Sequence, residues 1–189
     1  MTTSPSLFSL RPLALVGLAC LTGGAAWAET SPYYIGASQR FTHNSNVFLA
    51  PDATAQSDTV SSTGVRLGLD QPISRQRLTA SFSANANRYS SLSVLNNTDY
   101  ALETRLDWET VERLAGNVAF SSRENLPADA AALTSGQRNL LKVTSASMQA
   151  NLGLVTMWSF DVGAAVSRAS YSEASYARNN TNQTTVNGG

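Results

Sequence analysis

Cysteine is almost absent from this 189-residue chain, in which Cys20 is the only one. An internal disulfide and a cysteine-rich metal site are therefore both excluded. The chain also has a single histidine, His43, so no histidine cluster can hold a metal either. Charge is sparse as well. Thirteen basic residues balance thirteen acidic ones, and Lys142 is the only lysine. Without a basic surplus or a basic aromatic stripe there is no reason to expect nucleic acid as a partner. No phosphate-cradling glycine loop occurs, so no cofactor is expected. Nor is there an uninterrupted run of the ~20 apolar residues that a transmembrane helix needs. Residence in a membrane would have to come from strands.

The first residues carry an export signal. Arg11 precedes an apolar run, Leu13 to Cys20, that passes through small residues to Ala26-Trp27-Ala28. A basic start, a short apolar middle and an A-x-A end predict a secretory signal peptide over residues 1–28, cut between Ala28 and Glu29. Cys20 also raises lipoprotein acylation, but Gly17 stands where such signals prefer leucine. Without Arg11 the mature chain has 12 basic and 13 acidic residues, a formal charge of −1.

Alternation then dominates. In LTASFSANAN (78–87), Leu78, Ala80, Phe82, Ala84 and Ala86 alternate with Thr79, Ser81, Ser83, Asn85 and Asn87. Such a strand has one apolar and one polar face. The same period runs from Tyr33 to Phe41, Val65 to Asp70, Tyr100 to Glu109, Leu114 to Ser121, Thr144 to Leu154 and Phe160 to Ser167, giving seven strands in all. Ala128 to Leu133 offers at most one helical turn inside a loop.

The connections alternate too. Short ones fall at Gln71-Pro72-Ile73-Ser74, Thr110 to Arg113 and Val155 to Trp158. Long polar ones span Thr42 to Asp58, Tyr89 to Asn97, Glu124 to Leu141, and Glu173 onward. Tight turns at one end and larger loops at the other are the layout of an outer-membrane barrel, whereas a Greek-key sandwich gives no reason for strict alternation. The fold expected is thus an all-β, antiparallel up-and-down transmembrane β-barrel over residues 29–189. Single-chain bacterial barrels have even strand numbers. Seven strands, with Asn187-Gly188-Gly189 in an apparent loop, therefore predict the N-terminal portion of a longer barrel.

Three stretches carry a more specific pattern: FTHNSNVFLAPD (41–52), SDTVSSTGVRLGLDQPISRQRLTASFSANANRY (57–89) and LNNTDYALETRLDWE (95–109). They contain Asn46-Val47-Phe48, the Ser57-Asp58 pair, the D-Q-P-x-S-R-Q-R turn from Asp70 to Arg77, and N-x-x-x-Y from Asn96 to Tyr100. This pattern resembles the EpsL family of outer-membrane proteins encoded in exopolysaccharide biosynthesis operons, and more broadly the beta-barrel porin-2 group. The turn is its most specific element. Many members carry acidic residues before the first-loop asparagine, where this chain has Asn44-Ser45. The resemblance implies a porin-like protein of the cell outer membrane, with lipid around it and a secreted polysaccharide and other export components as partners.

Candidate site residues follow from the polar faces. Arg66, Arg77, Asn85, Asn87, Glu103, Arg105, Asp107, Asn117, Gln149, Asn151 and Asp161 would line a lumen. Charges there set a transverse field, and amides offer hydrogen bonds to sugar hydroxyls. Asp70 and Arg77 flank the Pro72 turn and are expected to pair, fixing the hairpin register. The neighbouring carboxylates Asp107 and Glu109 read as part of the lumen face rather than as a glycosidase pair. His43-Asn44-Ser45-Asn46 resembles the H-x-S-N stretch of outer-membrane lipid hydrolases, with His43 as base and Ser45 as nucleophile, but no third group is identifiable. Hence two alternatives stand beside the non-enzymatic pore: a lipid hydrolase, and a soluble or surface-attached β-protein for binding or adhesion.

Overall fold

Residues that alternate in character every second position form one antiparallel sheet. A computed structural model describes residues 31–110, 113–127, 138–153 and 159–189. Its strands are β1 (Tyr33–Asn44), β2 (Asp58–Ile73), β3 (Gln76–Tyr89), β4 (Asn97–Glu109), β5 (Leu114–Asn125), β6 (Leu141–Leu152), β7 (Phe160–Tyr171) and β8 (Thr181–Gly188). They lie side by side in chain order, each antiparallel to the next. The chain is all-β and up-and-down. The sheet is not closed, with β1 and β8 as its edges, which is consistent with an arc of a larger barrel.

Two sequence expectations need correction. The described residues form eight strands, not seven, because Thr181–Gly188 is a strand and not a loop. TNQTTVNG is polar on both faces, so no period of two announces it. It forms because its backbone pairs with β7, in a register that sets Val186 opposite Ala164. The hairpin turn also comes later than expected: β2 runs through Pro72 to Ile73, and Ser74, with φ 56°, opens the turn into β3. The expected signal peptide, Leu154, the Val155–Trp158 connection and the Ala128–Leu133 segment lie outside the described residues.

Register pairs residues of one face across each ladder, so the two faces can be followed from strand to strand. Of the eighteen exposed large hydrophobics among the described residues, fifteen lie on a single face, among them Ile35, Leu67, Val118, Met148, Phe160 and Val162. Among the described residues no second layer packs on that face. Among the described residues only Val47 and Leu95 are buried hydrophobics, and both lie in loops.

The apolar band crosses the strands at an angle. A row perpendicular to the strands runs from Ala37 through Val65, Ala84, Tyr100, Glu124 and Lys142 to Ser170. On β1 the apolar run Tyr33 to Phe41 centres on Ala37; on β7 the run Phe160 to Val166 centres on Gly163, seven residues from Ser170 (170 − 163). At ~3.3 Å per residue and ~4.8 Å per strand step, that slide corresponds to strands inclined by about 39° to the normal of the band. Closed membrane barrels tilt their strands by ~35–45°. Two aromatic side chains cover glycines directly across a ladder: Tyr34 lies over Gly68 on the polar face, and Trp108 over Gly116 on the apolar one. At each glycine a Cβ would overlap the ring.

Candidate functional site

The polar face gathers the predicted lumen residues. All eleven of them, and Asp70, share the face opposite the apolar band. Near the short turns the charges pair. Arg77 donates from Nε to Asp70 Oδ1 at 2.7 Å and from Nη2 to Oδ2 at 2.5 Å, the expected pair in bidentate form. Arg105 Nε bonds Asp107 Oδ1 at 2.8 Å within the same strand, and Asp107 faces Arg77 across the β3–β4 ladder. Asn151 donates to Asp161 across β6 and β7, and Asn117 to Gln149 at 3.4 Å.

Towards the long loops, amides replace charges. Asn87 Nδ2 donates to Asp99 Oδ1 at 2.8 Å and to Asn97 Oδ1 at 3.0 Å, while Asn85 Nδ2 reaches Asp99 Oδ2 at 3.2 Å. Ser62 Oγ donates to Asn87 Oδ1 at 2.6 Å. Asp99 and Ser62 were not singled out from sequence. Extending the alternation of β4 one step before Ala101 would have found Asp99. Between the two zones a hollow of about 500 Å³ opens on the polar face, with Tyr34, Ser81, Glu103, Arg105, Ser121 and Ser145 on its walls. Ser121 Oγ and Ser145 Oγ bond at 2.7 Å. The face thus offers hydroxyls, amides and charges of both signs to a hydrated, polar solute.

The loops at one end of the sheet form a cap. Val47 and Leu95 pack together, with Phe48, Tyr89, Leu92 and Leu126 around them. Asn46 shapes the loop that presents Val47. Its Nδ2 donates to Ala50 O at 2.6 Å, its Oδ1 accepts from Ala50 N at 2.9 Å, and Leu49 between them has φ 51°. Asp58, buried at the start of β2, accepts backbone N–H groups from Thr59 (2.7 Å), Ser91 (3.1 Å) and Leu92 (2.7 Å). Asn96 Oδ1 accepts from Tyr89 N at 2.7 Å. The Asn46-Val47-Phe48, Ser57-Asp58 and Asn96 motifs all meet in this cap.

Asp58 feels two opposed effects. Burial pushes its carboxyl up, but the N–H groups of Leu92, Thr59, Ser91 and Ser90 outweigh it and hold the pKa below its ordinary value. A depressed pKa contributes stability above the unfolded value of ~3.9 and loses it as pH falls through the folded one. Acidification below ~4 should therefore release the 90–92 segment while the strands persist. Amide exchange at Ser91 and Leu92 would report this, and Asp58→Asn should raise that exchange already at neutral pH.

His43 and Ser45 are not brought together as a pair on one strand. β1 ends at Asn44, whose Oδ1 accepts Asn46 N at 3.0 Å and turns the chain, so Ser45 leaves the extended segment. His43 Nδ1 lies 3.1 Å from Thr59 Oγ1. Among the described residues no group of His, Cys, Asp or Glu could hold a metal, and no helix is long and apolar enough to cross a membrane. Compared with family models, curated proteins and solved structures, the chain matches none.

Proposed function

We propose that this chain is an outer-membrane β-barrel of porin type that serves exopolysaccharide production or export. One observation carries the membrane part: a continuous apolar band, exposed along the sheet, whose normal lies about 39° from the strands. In water that band would leave fifteen large hydrophobic side chains exposed on one face, whereas soluble monomers rarely expose large contiguous apolar patches. Against hydrocarbon it needs no second layer. Seven of the eight strands have 12 to 16 residues, enough for the ~9–11 that a tilted strand needs to cross a bilayer. Tyr33 and Trp108 stand at band ends, where interfacial aromatics belong. The polysaccharide assignment rests on the resemblance of Phe41 to about Pro127 to the EpsL family, and the hydroxyl- and amide-rich polar face suits such a solute.

The test has two stages. Protein in isolated membranes should resist alkaline carbonate extraction, and should then conduct ions when purified into a planar bilayer. Release by carbonate would sink the membrane reading. Retention without conductance would remove the pore. Deleting the gene should lower secreted polysaccharide, and an unchanged yield would remove the polysaccharide role.

A further inference from the structure

Among the described strands the apolar face carries four charged residues, Arg88, Glu124, Lys142 and Arg168, and the last three are neighbours. Lys142 on β6 and Arg168 on β7 are exposed and occupy adjacent rows of that face, Lys142 opposite Ser170 and Arg168 opposite Thr144. Diagonal neighbours of this kind have their side-chain origins ~7–8 Å apart, a span that one tetrahedral anion can bridge. The two cations border a hollow of about 520 Å³ to which Thr144, Ser170 and Asn182 add hydroxyl and amide groups. Neither cation has an ion pair among the described residues, and Glu124, opposite Lys142, makes none with it. Below them on the same strands the apolar band begins at Ala146 and Val166, which share the hollow. The site therefore sits where hydrocarbon would give way to headgroups, on the long-loop side.

We infer that this hollow binds the phosphate-monoester headgroup of a lipid in the leaflet on the loop side, resting on the reading of the apolar face as lipid-facing. Arg168 would present a planar fork to two phosphate oxygens, and Lys142 a point charge to a third. Val166 and Ala146 would meet the first carbons of the acyl chains. An anionic headgroup gains ~1 kcal/mol per basic residue at a membrane surface, so each cation is worth about fivefold in binding and the pair about thirtyfold.

The experiment uses the full chain, extracted from carbonate-washed membranes into neutral detergent, with native mass spectrometry to count retained lipid. Phosphatidic acid should bind in preference to phosphatidylcholine, and inorganic phosphate should compete poorly. Lys142→Gln/Arg168→Gln should weaken phosphatidic acid binding about thirtyfold. Arg168→Lys should keep part of it, and Arg40→Gln, on the other face of β1, should keep all of it. Equal binding by the double variant overturns the site. Efficient competition by inorganic phosphate overturns the lipid as its ligand. If carbonate releases the protein beforehand, the membrane reading itself has failed, and the lipid assignment falls with it.

Discussion

Leu95→Ala should open the loop-end cap and leave the sheet intact. Leu95 is fully buried, and among the described residues its only buried hydrophobic companion is Val47. Truncating a buried leucine costs ~2–5 kcal/mol, from lost transfer energy and from the cavity that remains. The low end applies here, because four half-buried neighbours in loops can settle into part of the space. Even ~2 kcal/mol should raise amide exchange at Val47 and Leu95 about thirtyfold. Both amides bond within the cap, Val47 N to Gln56 O at 2.8 Å and Leu95 N to Leu92 O at 2.9 Å. Strand amides such as that of Phe82 should be unaffected. Val94→Ala is the control: that side chain is 54% exposed, so the change should stay within ~0.5 kcal/mol. If Leu95→Ala alters neither amide, the cap is held by the hydrogen bonds of Asp58, Asn46 and Asn96 and not by the Val47–Leu95 contact.

The division between what was readable in sequence and what was not follows the physics of each element. Strands β1 to β7 were legible because one face is apolar along a run of each strand, so every second residue of that run reports its side. The same parity placed all eleven predicted polar-face residues correctly, and the Asp70–Arg77 pair was legible from its position about a turn. β8 left no such trace. Asn182, Thr184, Val186 and Gly188 share the apolar face with little apolar character, and only the ladder to β7 identifies them as a strand. The cap was hidden for another reason. Val47, Asp58 and Leu95 are brought together by loops, and loop contacts have no period. Asn46-Val47-Phe48 and Ser57-Asp58 were visible as motifs, but their shared role in holding the cap becomes visible only once the chain is folded. The slide of the apolar band needs both sources: sequence supplies the centre of each run, and register supplies the rows against which the runs shift.

Met148→Arg and Ser147→Arg, one residue apart on β6, should differ by ~1–4 kcal/mol because their environments are opposite. Met148 points to the apolar face at mid-band, opposite Val118 on one side and Ala164 on the other, and is 58% exposed. Ser147 points to the polar face, opposite Ala119 and Ala165. On a lipid-facing surface an arginine at the midplane costs ~2–4 kcal/mol, whereas a lumen position tolerates it and changes conductance instead. Denaturant unfolding in phospholipid vesicles should therefore show Met148→Arg destabilised by about 2–4 kcal/mol and Ser147→Arg by under ~1 kcal/mol. A sheet whose apolar face met water would give another result, because an arginine at an exposed position would be nearly neutral there. The comparison also separates the interior. If Ser147→Arg leaves stability unchanged yet alters the ion selectivity of the conducting protein, the serine-rich hollow lies on the permeation path. Should selectivity stay fixed while Met148→Arg destabilises, the barrel would stand, and the polar face would be a hydrated filling rather than a route.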